Sequence, residues 1–150
     1  MRSTLNQALK EAMRAKDERA VSTLRLILAA LKDRDIAARA KSNDAGVSDD
    51  DILQMLQSMV KARRDSIAMY EKGGRLELAE REAAEIEIIQ RFLPQQMSEE
   101  EIASAVRDVI QEIGADGLKQ MGAVMGELRT RFAGRMDFGK ASPIVRQALS

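Results

Sequence analysis

The feature that most constrains this chain is an aliphatic periodicity that hardly lapses. Apolar residues recur at three- and four-residue intervals along nearly the whole length, and strict apolar/polar alternation never persists long enough for a strand. Two prolines and nine glycines punctuate the pattern. The fold class it dictates is all-α. The core must be Leu, Ile, Val, Met and Ala, because there is no Trp or Cys and the aromatics are only Tyr70, Phe92, Phe132 and Phe138. At 45% hydrophobic over 150 residues, the chain has the aliphatic content for one ordinary domain or two small ones.

The punctuation divides the text into helices. A first helix near 3–15 carries Leu5, Leu9, Ala12 and Met13 at helical spacing. Asp17 then reads as the N-cap of a longer helix with Val21, Leu24, Ile27, Leu28, Leu31 and Ile36 on one broad apolar face. Ser42-Asn43-Asp44-Ala45-Gly46 is a polar loop. Ser48 followed by Asp49, Asp50 and Asp51 starts a third helix, with Ile52, Met55, Leu56, Met59, Val60, Ile67 and Tyr70, which Gly73-Gly74 ends. A fourth runs over about 75–93, where Glu77/Arg81, Arg81/Glu85 and Glu87/Arg91 at i,i+4 mark a solvated face. Pro94-Gln95-Gln96 stops it, and Ser98 with Glu101 forms a capping box for a fifth helix carrying Ile102, Val106, Val109, Ile110 and Ile113. The domain boundary is placed here, giving an N-terminal antiparallel helical domain over 1–94 and a small C-terminal helical domain over 98–150. Gly114 closes the fifth helix. Asp116 or a neighbour opens the next, through about 132, with Met121, Val124, Met125, Leu128 and Phe132 as its buried stripe, and Gly134 ends it. Ser142 as N-cap with Pro143 at the first helical position gives a last short helix.

Absences exclude most familiar chemistry. With no His and no Cys there is no Ser-His-Asp triad, no cysteine nucleophile, no Cys/His zinc site and no disulfide. The phosphate-binding G-x-x-x-x-G-K-[ST] loop and the G-x-S-x-G elbow are also missing. The acidic triplets Asp49–Asp51 and Glu99–Glu101 suggest Mg²⁺ or Ca²⁺ at first sight. Adjacent acids on a helix point in different directions, however, and first-turn positions account for them. No catalytic residue, cofactor or metal site is therefore assigned. No run approaches the roughly 18–20 apolar residues of a membrane span. Residues 2–16 form a basic amphipathic stretch, but Glu11 and the unbroken helical continuation argue against a transit peptide. A soluble cytoplasmic protein without a membrane partner is the expectation.

Net charge is zero, with 24 basic and 24 acidic residues, but the zero is a sum of blocks. Residues 1–41 hold ten bases and five acids, 42–60 four acids and no base, 98–117 six acids and one base, and 118–150 six bases and two acids. The last block, Lys119, Arg129, Arg131, Arg135, Lys140 and Arg146, is the candidate RNA-binding patch, although bases at a helix C-terminus also complement the helix dipole. Few aromatics are available for base stacking, so backbone and shape recognition of a folded RNA suits it better. Gly122 and Gly126 lie inside a predicted helix, where each costs about 0.8–1.0 kcal/mol relative to Ala. Close approach of a neighbouring helix is the simpler offset, and close approach of a nucleic-acid backbone is the functional one. Lys61, Arg63 and Arg64, beside Arg25, Lys32 and Arg34, read as a solvated face laced by pairs such as Lys61/Asp65.

Several stretches carry a family likeness: Ser22-Thr23-Leu24-Arg25-Leu26-Ile27-Leu28-Ala29-Ala30-Leu31-Lys32, Val60-Lys61-Ala62-Arg63-Arg64-Asp65-Ser66-Ile67 and Gly74-Arg75-Leu76-Glu77-Leu78-Ala79-Glu80. Glu85-Ile86-Glu87-Ile88-Ile89 leading to Phe92-Leu93-Pro94, and Met121-Gly122-Ala123-Val124-Met125-Gly126 with Asp137 and Val145, complete the set. In this order and spacing they resemble the YqeY family of small bacterial proteins over essentially the whole chain. The C-terminal part of that family is similar to the tail domain of the B subunit of the tRNA-dependent amidotransferase. The resemblance implies a two-part helical protein whose C-terminal domain touches tRNA, and links it by label to carbon–nitrogen ligation with glutamine as amide donor. The kinase-like catalytic core of the amidotransferase has no counterpart here. The expected function is a non-catalytic accessory protein interacting with tRNA. The alternative is an adaptor docking on the amidotransferase or another protein through helix faces.

Overall fold

A computed structural model describes residues 1–41 and 46–150, and among these every regular element is helical. The expected loop residues Ser42 to Ala45 lie outside the described residues. Two compact units result, Met1–Leu93 and Pro94–Ser150.

The first unit contains α1 (Arg2–Arg14), α2 (Glu18–Ala40), α3 (Asp49–Lys72) and α4 (Leu76–Gln90). Its starts are set by side chains satisfying the orphan N–H groups of a first turn. The Asp17 carboxylate accepts the Ala20 N–H at 3.1 Å. The Ser48 hydroxyl accepts the Asp51 N–H at 3.2 Å while Asp51 reaches back to the Ser48 N–H at 3.4 Å, so this acidic triplet is a helix start. The α1 and α3 ends share one device, in which the second residue past the helix adopts a left-handed conformation and two N–H groups fold back on the last turn. At α3 that residue is Gly74, with the Arg75 N–H on the Tyr70 carbonyl at 2.8 Å. At α1 it is Lys16, with the Asp17 N–H on the Ala12 carbonyl at 3.0 Å.

The core of this unit is Leu5, Leu24, Ile27, Leu31, Ile52, Met55, Leu56, Val60, Ile86 and Ile89, all buried. The broad face expected on α2 is turned by one residue at its end. Ile36 stands 55% exposed and Asp35 is buried in its place. The series Ala20, Leu24, Ile27, Leu31, Asp35 keeps the 3.6-residue period that Ile36 would break. Met13, expected on an apolar face, is also exposed, at 48%, and Leu76 at the start of α4 is exposed at 61%.

The second unit contains α5 (Glu99–Ile113), a single 3-10 turn (Leu118–Gln120), α6 (Met121–Arg131) and α7 (Phe138–Leu149) around Ile102, Val106, Val109, Val124, Leu128, Met136, Ala141 and Val145. The Ser98 hydroxyl accepts the Glu101 N–H at 3.1 Å and Glu101 returns to the Ser98 N–H at 3.0 Å. These bonds, the backbone one foremost, lower the Glu101 pKa. Gly114, at φ +73°, closes α5. One sequence expectation fails in this unit and another holds through a neighbouring residue. The helical run after α5 opens at Gly117, next to Asp116, as a 3-10 turn that leads into α6, while the Asp116 N–H donates to the Gln120 side chain at 2.6 Å. The last helix starts well before Ser142, because Asp137 accepts the N–H groups of Gly139 and Lys140 at 2.9 and 3.3 Å. Pro143 therefore sits inside α7. It leaves the Gly139 carbonyl without its helical donor, and both residues are on the exposed side, where water can serve that carbonyl.

Candidate nucleic-acid interface

The six cations expected to form one patch all lie in the second unit, and their surroundings sort them into two groups. Arg131 is consumed within the fold. Its guanidinium meets Glu112 of α5 at 2.5 Å and Glu127, one turn back on α6, at 2.7 Å. Those two carboxylates, Glu112 first, raise its pKa further above the ordinary arginine value. Lys140 faces Glu99 at 3.8 Å, and Arg135 donates from Nε to the Gln95 carbonyl at 3.3 Å while its field helps keep Glu101 ionised. Both answer the acidic start of α5. Lys140 also occupies the first turn of α7, so the dipole argument that suits Arg129, Arg131 and Arg146 in last turns does not account for it.

Lys119, Arg129 and Arg146 form the second group. All three are exposed, and none has a carboxylate partner among the described residues. Lys119 lies in the 3-10 turn, Arg129 in the last turn of α6 and Arg146 in the last turn of α7. The Arg129 guanidinium carbon stands 5.9 Å from the Phe138 ring centroid, which holds its stem against α7 while leaving its donors to solvent.

The glycines behave unlike the simpler expectation. A Cβ on Gly122 or Gly126 would meet nothing within 4 Å, so among the described residues no helix of this unit packs against them. The buried stripe of α6 is Val124, Met125 and Leu128. On the opposite side Gly122, Ala123, Gly126 and Thr130 leave a strip of nearly bare helix backbone, all exposed. Arg129 and Arg131 flank that strip on its two edges, Arg129 on the side of α7 and Arg131 on the side of α5. The physical content is a smooth surface over which a bulky chain can approach the helix axis, with the exposed Arg129 at one edge.

The first unit holds charged groups that sequence reasoning missed. The two oxygens of Asp35 are bound by the Arg2 guanidinium, and one of them also accepts the Val47 N–H at 3.0 Å. Arg2 additionally donates to the Val47 carbonyl at 2.7 Å. The Arg2 bonds, followed by the Val47 N–H, hold the Asp35 carboxyl down at about 2. Gly46, at φ +80°, lies against this knot: a Cβ there would come within 2.5 Å of an Asp35 oxygen. The signal available in the sequence was the period of α2, which places Asp35 on the buried face. In place of the i,i+4 pairs expected on α3 and α4, Arg63 reaches across to Glu85 at 2.8 Å and to Glu82 at 3.9 Å.

Among the described residues no three acidic side chains converge as a metal site, and no helix is long and apolar enough to cross a membrane.

Comparison with known sequences gives a consistent result. The family profile described as Yqey-like protein matches residues 2–149. Altered inheritance of mitochondria protein 41, mitochondrial, of Lachancea thermotolerans is 35% identical over 113 residues, covering 74% of this chain and 58% of the relative. The protein of the same name from Saccharomyces cerevisiae strain YJM789 is 30% identical over 131 residues, or 84% of this chain and 69% of its own length. An uncharacterized protein of Schizosaccharomyces pombe is 29% identical over 98 residues, 65% of this chain and 76% of that one. The chain thus spans less than two thirds of the Lachancea relative's length.

Proposed function

The chain belongs to the Yqey-like protein family, and from that premise we propose that it is a non-catalytic accessory protein that binds tRNA through its C-terminal unit. The observation that carries the reading is the coincidence, on one small unit, of three exposed cations without carboxylate partners among the described residues and an open glycine strip on α6. Phosphates reward exposed Lys and Arg, and a helix without side chains lets a sugar–phosphate backbone come close. The likeness of the family's C-terminal part to the amidotransferase tail supports the same partner. Lys119, Arg129 and Arg146 are the primary phosphate ligands, with Gly122 and Gly126 as the approach surface. Arg135 and Lys140 contribute to the surrounding field, and Arg131 serves the fold. Chemistry on misacylated tRNA, including amide transfer from glutamine, belongs in this reading to an enzyme that the protein assists. The reading places the protein in the cytoplasm.

Titration of the full chain with bulk tRNA across a salt series tests it. Affinity should fall as salt rises. Arg129→Glu with Arg146→Glu should weaken binding and reduce the salt slope by about one for each phosphate that the variant no longer neutralises. Arg131→Gln should leave the slope unchanged. Binding that is absent, indifferent to salt or untouched by the Arg129 and Arg146 changes would sink the proposal. The adaptor reading is favoured by a different observation, the exposed Ile36 and Met13 of the N-terminal unit.

A further inference from the structure

Between α1 and α2 the N-terminal unit carries an open depression of about 270 Å³, walled by Arg2 and Asn6 of α1 and by Leu28, Lys32, Ile36 and Arg39 of α2. By helical spacing the same two faces continue beyond it along both helices. Arg2, Asn6, Leu9 and Met13 follow one another on α1 at intervals of four, three and four, and Arg25, Leu28, Lys32, Ile36 and Arg39 on α2 at three and four. Two such rows on adjacent helices are the seat into which the side chains of a third helix interdigitate. The α2 row from Arg25 to Arg39 is about 21 Å long.

The chemistry of the rows defines what can lie there. Ile36 and Met13 are 55% and 48% exposed and Leu28, half-buried, packs on one side against the core, so the seat offers apolar anchors that the described chain leaves partly open. Arg25, Lys32 and Arg39 are exposed, and among the described residues none has a carboxylate within ion-pair distance. The one acid of the depression, Asp35, has its oxygens taken by Arg2 and the Val47 N–H. The seat is therefore positive and apolar together. A nucleic acid gains nothing from exposed Ile36 and Met13, and a second copy would set like-charged rows against each other. We propose that this groove docks an acidic amphipathic helix of a partner protein, its Leu or Ile side chains on Leu28 and Ile36 and its carboxylates against Lys32 and Arg39. This gives the adaptor reading a place and a partner chemistry, and it stands apart from RNA binding by the other unit.

The test uses the full chain and a fluorescein-labelled designed peptide of about 18 residues, with Leu at heptad a and d positions and Glu beside them. A scrambled peptide of the same composition is the control. Anisotropy should show saturable binding of the patterned peptide, with the scrambled one weaker by about tenfold or more. Ile36→Glu, and Lys32→Gln combined with Arg39→Gln, should each weaken binding about tenfold, with helicity by circular dichroism unchanged because all three side chains are exposed. Arg129→Glu should have no effect, which separates this result from failure or success of the tRNA titration. Equal binding of the scrambled peptide, or unchanged affinity in both groove variants, overturns the proposal. Displacement of the peptide by tRNA would reassign the groove to RNA, and a dimer in sedimentation that Ile36→Glu dissociates would reassign it to a second copy.

Discussion

The two units spend the same side chains differently. In the N-terminal unit a carboxylate enters the buried face of α2 and is tied by Arg2 and Val47, and Arg63 crosses from α3 to Glu85, so ion pairs join elements. What is left outside is mixed, with Met13, Leu26, Ile36, Met69 and Leu76 exposed alongside exposed cations such as Arg25, Lys32 and Arg39. In the C-terminal unit the buried groups are apolar, and the ion pairs of Arg131 and Lys140 lie at the surface. On α6 it leaves a bare strip at Gly122 and Gly126 with Arg129 at its edge, while Ile113 and Leu118 are exposed elsewhere in the unit. A surface that is apolar and charged suits a protein helix, and one that is charged and bare suits a phosphate backbone. The contrast teaches that identical residue types acquire a function only after the fold has drawn its own pairs from them.

The comparison breaks most visibly in the cores. Leu56→Ala in the first unit and Leu128→Ala in the second, both fully buried, should each cost about 2–5 kcal/mol in denaturant unfolding. The glycines discriminate more sharply. Gly46→Ala puts a side chain at positive φ and against Asp35, and should destabilise by about 1–3 kcal/mol. Gly126→Ala, in open space in mid-helix, should instead stabilise by about 0.8–1.0 kcal/mol, and Gly122→Ala, in the first turn of α6, by less. If the strip serves RNA, the same two changes weaken tRNA binding. A gain in stability with tRNA affinity unchanged would remove the strip from the interface.

Smaller effects sharpen the picture. Lys16→Gly relieves a left-handed residue at the end of α1 that Gly74 and Gly114 fill at equivalent positions, and should raise stability by about 0.5–1 kcal/mol. The smallest effect at neutral pH concerns Asp35. Its folded pKa of about 2 lies below the ordinary 3.8, so its contribution is complete above pH 4 to 5 and is lost as pH falls toward 2. Hydrogen-exchange protection factors in the N-terminal unit, taken relative to intrinsic exchange at each pH, should therefore fall across that window, and Asp35→Asn should flatten that dependence.

Much of the fold was legible because its signals are local. Asp17, Ser48 and Ser98 start helices through hydrogen bonds to backbone three residues ahead, and Gly74 and Gly114 end them through one left-handed residue. Where two local signals competed, the weaker one misled: Pro143 suggested a helix start at Ser142, but Asp137 had already captured two N–H groups. The candidate site was legible as a set of cations and not as a surface.

By itself, then, the sequence determined an all-α chain, the positions of its main caps and the residue types of its cores, since each depends on interactions within a turn or two. Tertiary structure alone decided that Asp35 is inside and Ile36 outside, that Arg131 is paired while Arg129 and Arg146 are left over, and that Gly122 and Gly126 face open space. The reason is range. Arg2 meets Asp35 across 33 positions and Arg63 meets Glu85 across 22, and only the packing of whole helices fixes which charges find a partner.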